Sequence, residues 1–317
     1  MLADPLSDVL ALVKAQSVVT GGLHAGGAWA LRFPPPRQIK FYALTKGSCW
    51  LARGQDAAVR LETGDVVLIS AREPLLLGSD LAAEPADATE VFAHRQNGFA
   101  TVGDGADLTL LGGLVSLDPR CGHLLHDVLP PMIRLHGALP EAVAVQLLLK
   151  QLAGEVNAGR AGARLASTLL TQLMFLNLLR AEIAADRPRV GGWLNALADA
   201  RLAPALRLMH ADPGRSWQLG ELAKSTAMSR TAFALRFKAK AGLAPLTYLT
   251  HWRMRLAERA LREEDTPLGT IALSLGYTSE SAFSNAFKRI TGMAPNRYRT
   301  AARRAKDIPP VDEAMSF

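Results

Sequence analysis

Cysteine is nearly absent: Cys49 and Cys121 are the only two in 317 residues. Two thiols cannot build the disulfide framework of a small secreted scaffold, so a reducing, cytoplasmic setting is expected. Long apolar runs are missing as well. The best candidate, Leu165 to Ile183, is interrupted by Gln172, Asn177, Arg180 and Glu182, so no membrane span is expected. The opening residues, MLADPLSDVLALVKAQSVVTGG, carry acids early and lack a basic stretch ahead of an apolar core, which argues against a signal peptide. Nor is there a nucleophile elbow, a phosphate-cradling loop or a pair of carboxylates set for acid–base work, so no enzyme is expected. Hydrophobic residues at 49% and charged residues at 21% are in ordinary globular proportion, which excludes wholesale disorder and a collagen-like chain.

What the chain does have is positive charge, unevenly placed. The net charge is +7. Residues 1–200 hold 17 Lys/Arg against 19 Asp/Glu, whereas residues 201–306 hold 19 against 7, a local excess of +12. Residues 307–317 add three acids and no base. A near-neutral part joined to a basic part suggests two jobs, and the basic part suits a polyanion such as nucleic acid.

An internal repeat sharpens this. Residues 229–248, SRTAFALRFKAKAGLAPLTY, match 279–298, SESAFSNAFKRITGMAPNRY, at nine of twenty positions. Just upstream the offset falls from 50 to 49, which sets Ala227 against Gly276. Two repeats are too few for a solenoid, so they are two copies of one supersecondary unit. In each, a short apolar stripe (Leu219, Leu222, Ala223; then Ile271, Ala272, Leu275) precedes a break. Ser229 and Ser279 can then cap a new helix. Phe233 and Phe237, like Phe283 and Phe287, fall at i, i+4 and share a buried face. Gly242 and Gly292 supply left-handed C-caps, and Pro245 and Pro295 follow. Helix, tight turn, helix, glycine stop is a helix-turn-helix unit. Leu249, Trp252, Leu256, Ala260 and Leu261 make the connecting segment one stiff helix. Two rigidly spaced units suit successive major grooves, about 34 Å apart.

Residues from about 201 to 304 resemble the DNA-binding domain of the AraC/XylS family of transcriptional regulators, through LGELAKSTAMSRTAFALRFKAKAGLAPLTYL, HWRMRLAERAL and TIALSLGYTSESAFSNAFKRITGMAPNRYR. The resemblance places Thr231, Ala234 and Leu235 at base-reading positions of the first unit. Ala234 and Leu235 offer only apolar contact, for instance to thymine methyls. Arg230, Arg236 and Lys238 are expected on phosphate. In the second unit Glu280, Ser281, Ser284 and Asn285 are exposed candidates. Asn285 suits adenine, Glu280 suits cytosine N4, and Lys288, Arg289, Arg297 and Arg299 suit the backbone.

Upstream, residues 1–16 read as one amphipathic helix. Short β-rich runs follow from about Val18 to Val115, at Gln38–Leu44, from Gly47, and at Ala57–Leu61, Val66–Ser70, Thr89–His94 and Leu108–Leu114. Strands at such spacing imply a sandwich or barrel. The Gly64-Asp65 turn leading into Val-Val-Leu-Ile resembles the cupin-like sensor domain of the same family. Metal-binding cupins carry a His-x-His strand pair, and Ser48-Cys49-Trp50 stands here instead, so no metal or other cofactor is expected. Cys121, His123 and His126, three donors within six residues, could hold zinc or another metal, but their spacing matches no strong structural zinc signature, and buried inert thiols are favoured over a redox pair of Cys49 and Cys121. An effector pocket is expected around Phe41, Trp50 and Val67. Val143, Leu147, Leu148 and Leu152, then Leu165, Leu169, Leu173, Leu176 and Leu179, mark two helices. The resemblance implies dimerisation there, and the alternative is that both stripes cover the barrel.

The expected architecture is α+β and multidomain. A cupin-like β-barrel spans 1–137, a helical pair 138–186, a linker 187–200, an all-α domain with two helix-turn-helix units 201–306, and an acidic tail 307–317. The expected function is a sequence-specific, DNA-binding transcriptional regulator answering a small-molecule or stress signal. Its partners would be double-stranded DNA, an effector, a second copy as homodimer and, in an activator, RNA polymerase. The competing possibility is a cupin-type metalloenzyme with an appended DNA-binding domain.

Overall fold

The computed structural model describes residues 4–158, 160–185 and 191–306. The expected acidic tail 307–317 lies outside them. Chain contacts divide the protein into a sheet unit, residues 14–118 and 129–185, and a helical unit, residues 4–13, 119–128 and 191–306. Among the described residues no helix is long and apolar enough to cross a membrane.

The sheet unit holds eleven strands among the described residues: β1 (Gln16–Ala25), β2 (Ala30–Phe33), β3 (Ile39–Lys46), β4 (Ser48–Arg53), β5 (Val59–Glu62), β6 (Val66–Ile69), β7 (Leu75–Gly78), β8 (Ala86–Asp87), β9 (Phe99–Val102), β10 (Leu108–Ser116) and β11 (Met132–Leu135). They form two sheets, ordered β11-β6-β3-β10-β1-β9 and β5-β4-β7-β2-β8, rather than one closed barrel. The chain crosses from the first sheet to the second at Gly47, whose φ of 80° only glycine adopts cheaply. A side chain there would also run into the Asp107 carbonyl. Alternate residues of both sheets, among them Leu23, Tyr42, Leu44, Leu51, Val67, Leu77 and Leu110, fill one core. Asp65, buried after the Gly64 turn, ties the unit together. Its carboxylate accepts from Arg134 Nη2 at 2.6 Å and from the Gly137 N–H at 2.7 Å. One expected strand is a helix: Ala88–Ala93 is helical because the Asp87 carboxylate accepts from the Thr89 N–H at 2.6 Å and caps it.

The helical pair is present as Val143–Ala158 and Ala163–Ala184. Gln172 pins the second helix to the start of β1, accepting from Ser17 N–H at 2.9 Å and donating to Ala15 O at 3.1 Å. Its Met174, Phe175, Leu178 and Leu179 are buried, while Leu165, Leu169 and Leu173 are exposed. On the first helix Leu149 and Leu152 are buried, and Val143 and Leu147 are exposed. Each helix thus covers its own unit with one stripe and leaves another outward.

The helical unit differs from the expected 201–306 in what it recruits. The first helix is Pro5–Leu12, and the chain already enters β1 at Gln16, with Lys14 in the left-handed region at φ 48°. Its buried Leu6, Val9 and Leu12, together with Cys121 and with Leu125 of the short helical turn His123–His126 that follows it, pack in the helical unit, so residues 1–137 are not one spatial domain. The expected linker is only partly one. Its residues 187–190 lie outside the described set, and Trp193–Ala198 is a buried helix whose Trp193 Nε1 donates to Leu124 O at 2.8 Å. At the centre His210 is stacked on Trp252, ring centroids 4.2 Å apart, and lies 3.0 Å from Asp8 Oδ2 and 2.8 Å from the Tyr248 hydroxyl.

Candidate nucleic-acid interface

The repeat in the sequence is a repeat in space. Leu219–Ser225 and Arg230–Ala241 form the first helix pair, Leu268–Ser274 and Glu280–Thr291 the second, joined by Pro245–Glu263 and followed by Pro295–Lys306. The Ser229 hydroxyl accepts from Ala232 N–H at 3.2 Å and that of Ser279 from Ala282 N–H at 3.1 Å. Gly242 and Gly292, both at φ 78°, donate to Lys238 O and Lys288 O, each at 2.9 Å. Phe233 and Phe237, and Phe283 and Phe287, are wholly buried. Their ring centroids lie 5.7 Å apart in each pair, and Tyr248 and Tyr298 meet Phe237 and Phe287 edge-on at 5.7 and 5.4 Å. Burying these rings aims the opposite face of each second helix outward.

That outer face carries the residues expected there. Arg230, Thr231 and Lys238 are exposed, Leu235 is 66% exposed and Ala234 half-buried. In the second unit Glu280, Ser281, Asn285 and Lys288 are exposed, and Ser284 is half-buried. Leu235 and Asn285 occupy the same place in the repeat, so one unit presents an aliphatic side chain where the other presents an amide. Arg289 and Arg297 are exposed as well.

Two arginines expected on phosphate have partners within the protein, although the Arg236 side chain remains 40% exposed and Arg299 is half-buried. Arg236 Nη2 pairs with Asp199 Oδ2 at 2.7 Å, and Asp199 is 4% exposed. Arg299 Nη2 donates to Thr266 O at 2.6 Å. The repeat carried this information: position 236 corresponds to buried Ala286 and position 299 to buried Leu249. Sequence reasoning also passed over the start of the first unit. There Glu221 accepts from the Gln218 N–H at 3.0 Å in a capping box, and this backbone hydrogen bond, with Arg215 beside it, holds its carboxyl below the usual range.

The thiols are buried, and the Cys-His cluster does not converge on one point. Cys49 is buried, and burial, with Asp65 nearby, pushes its thiol up to about 12. Cys121 is 2% exposed and donates to Leu12 O at 3.3 Å. His123 Nε2 faces Arg255 Nη2 at 3.2 Å and His126 faces Asp127 at 3.6 Å, so the three do not converge. Among the described residues no three His, Cys, Asp or Glu side chains come together as metal ligands. None of the three residues expected to line a pocket borders the polar cleft of the sheet unit. Phe41 and Val67 are packed in the core while Trp50 is 38% exposed. The cleft measures 580 Å³ and is lined by His24, His94, Gln96, Asn97, Phe99 and Thr101, where His24 stacks on Phe99 at 4.5 Å.

A cupin family model matches residues 4–184, and a helix-turn-helix domain model matches 222–301. An AraC-like transcription regulator of Streptomyces antibioticus is 42% identical, over 93% of this chain and 98% of its own. The HTH-type transcriptional regulator AlkR of Acinetobacter baylyi is 29% identical over 86% and 91%. Among solved structures, the DNA-binding domain of AdpA, the global transcriptional factor, in complex with a target DNA, matches 33% of this chain and 96% of its own at 30% identity and a TM-score of 0.33.

Proposed function

The chain belongs to the AraC-like transcription regulators and is a DNA-binding regulator of transcription; on that premise we propose how it reads DNA and what it answers to. The observation that carries the proposal is the outward face common to the two second helices. Each has a lysine near its C-terminal end, Lys238 or Lys288, preceded by Thr231, Ala234 and Leu235 in the first helix and by Ser281, Ser284 and Asn285 in the second. Lys238, Lys288 and Arg230 hold phosphates and fix register, and they carry no sequence information. Asn285 pairs with an adenine edge in the major groove, and Glu280 accepts from a cytosine amine. Leu235 and Ala234 press on thymine methyls, so the first unit reads shape and methyl pattern while the second reads hydrogen bonds.

The regulator needs no catalysis, works in the cytoplasm and acts as a homodimer. The outward stripes at Val143, Leu147, Leu165, Leu169 and Leu173 form the contact, since a row of leucines in water is costly and a second copy covers it. The effector is a small polar molecule. It occupies the cleft beside His24 and Phe99, whose wall includes Val156 of the helical pair, so occupancy is felt at the dimer contact. As an activator it would meet RNA polymerase through a surface left free of DNA.

The test is titration of the full chain against labelled duplexes selected from a random pool, at stepped salt. Affinity should fall steeply with salt, and Asn285→Ala should relax one base position. Binding without sequence preference, or no binding at low salt, would refute the proposal.

A further inference from the structure

Besides the connecting helix Pro245–Glu263, a second connection joins the two helix-turn-helix units, and one arginine makes it. Arg253, midway along that helix, is half-buried. Its Nε donates to Pro213 O at 2.6 Å and its Nη2 to Arg215 O at 2.8 Å. Its guanidinium also lies over the Tyr277 ring, 5.9 Å from the centroid.

These partners belong to different units. The chain at 212–217 is tied to the first. The Asp212 carboxylate accepts from Arg215 N–H at 3.1 Å, Trp217 Nε1 donates to Asp212 O at 2.9 Å, and Arg215 pairs at 2.8 Å with Glu221 of helix Leu219–Ser225. Tyr277 belongs to the turn of the second. Its ring meets Phe283 edge-on at 5.6 Å, and its N–H donates to Ala272 O at 2.9 Å. The two backbones approach closely as well. A side chain on Gly214 would run into the Ser274 carbonyl, and one on Gly276 would run into the Gly214 carbonyl and come within 3.1 Å of Arg253 Nη2.

The repeat separates this clamp from what a single unit needs. Arg303 occupies the place of Arg253 in the second copy, and it pairs with Asp265, just ahead of its own unit. Arg253 likewise holds the chain ahead of its own unit, and in addition it reaches the turn of the other. The turn residue of the first unit, Ala227, is exposed, whereas Gly276 is half-buried. A planar fork of donors set on two fixed carbonyls suits a guanidinium and not an ammonium.

We propose that Arg253 is a positioning residue for DNA recognition: by clamping residues 213–215 against the Gly276–Tyr277 turn, it fixes the spacing and phase of helices Arg230–Ala241 and Glu280–Thr291, and so the number of base pairs allowed between the half-sites they read. This rests on those two helices being the DNA readers, as proposed above. One inserted base pair moves the second half-site by about 3.4 Å along the duplex and turns it by about 34°. A clamped pair of helices does not follow that step, and one of them lets go.

The test is titration of the full chain on the duplex selected from a random pool and on copies with one or two base pairs inserted between the half-sites. The second half-site is marked by the base at which Asn285→Ala loses preference. For the native chain, one inserted pair should weaken binding about a hundredfold, the lower end of what a second linked contact contributes. Arg253→Ala should bind the parent duplex more weakly but lose only about tenfold or less on insertion, because the released units can re-space. Its slope of log affinity against log salt should match that of the native chain, since the Arg253 guanidinium is engaged inside the protein and neutralises no phosphate. Arg253→Lys keeps the charge and the stem and should fall between the two. It carries the test if melting shows that Arg253→Ala does not fold. Arg303→Ala removes the corresponding pair within the second unit and should keep the native insertion penalty. A merely destabilising change weakens every duplex by the same factor, so the ratio between duplexes is the readout. The proposal is overturned if the native chain tolerates one inserted pair, if the penalty is unchanged in the Arg253 variants, or if Arg303→Ala relaxes it as much. Those results would leave specific binding to the parent duplex intact, whereas a native chain without sequence preference would refute the DNA-reading proposal and this one with it.

Discussion

The turns of the two helix-turn-helix units should respond to opposite substitutions in opposite ways. Both turn residues are left-handed, Ala227 at φ 53° and Gly276 at φ 79°. An L-residue pays about 1–2 kcal/mol in that region, and glycine loses about 0.5–1 kcal/mol of chain entropy on being fixed there. Ala227→Gly should therefore stabilise the helical unit by about 0.5–1 kcal/mol. Ala227 is exposed, so its methyl leaves no cavity, and the turn's Met228 N–H to Ala223 O bond at 3.1 Å is retained. Gly276→Ala meets the reverse situation. Besides the backbone strain, its Cβ would run into the Gly214 carbonyl oxygen, which is backbone and cannot swing away. That change should cost about 2–4 kcal/mol. The assay is calorimetric unfolding of the full chain, following the helical unit's transition. Ala227→Gly should raise its midpoint by about 2–4 °C, and Gly276→Ala should lower it by more. A fall for Ala227→Gly, or equal and small effects for both, would refute the reasoning.

Arg236→Ala and Lys238→Ala should separate structure from DNA contact. The first leaves buried Asp199 unpaired and should cost about 1–3 kcal/mol of stability in an unfolding measurement. The second should leave stability unchanged and lower the slope of log affinity against log salt by about one unit. For Cys49, the folded thiol keeps its proton to about pH 12, whereas the ordinary value is 9.0. Between those values the unfolded chain binds fewer protons, so stability is intact below pH 9 and falls as pH rises, by up to about 1.4 kcal/mol per unit. Subtracting the alkaline unfolding profile of Cys49→Ala from that of the native chain should isolate this slope. Finally, Leu147→Asp combined with Leu169→Asp should yield a monomer in sedimentation, with the sheet unit's melting temperature unchanged.

The helix-turn-helix pair was legible because its information is local and stated twice. Serine caps, phenylalanines four apart and glycine stops lie within twenty residues of one another, and the second copy confirms the first. The same comparison, pursued further, sets Arg236 and Arg299 nearer the packed side of their helices, since their counterparts Ala286 and Leu249 are apolar and buried. Helix Ala88–Ala93 was misjudged for the opposite reason. Thr89, Val91 and Phe92 favour strands intrinsically, and one aspartate cap outweighs them. The two sheets were foreseen as a barrel because alternation reports which face is buried. It does not report whether the strand at the edge finds another partner.

The least legible feature is the recruitment of residues 4–13 and 119–128 into the helical unit. Asp8 and His210 are 202 positions apart, and no spacing rule links them. Yet the pair explains why a histidine lies fully buried beside Trp252 and Tyr248. Its two ring nitrogens face a carboxylate and a hydroxyl, so neither is left unsatisfied. A fragment cut at residue 201 would keep both recognition helices and lose Asp8, Val9, Leu124 and Trp193. His210 would then lack one partner. The proposed DNA-reading surface is thus a local property of the repeat, while the support beneath its connecting helix is assembled from three stretches of chain. A signal reaching any of those stretches acts on that support without passing through the recognition helices.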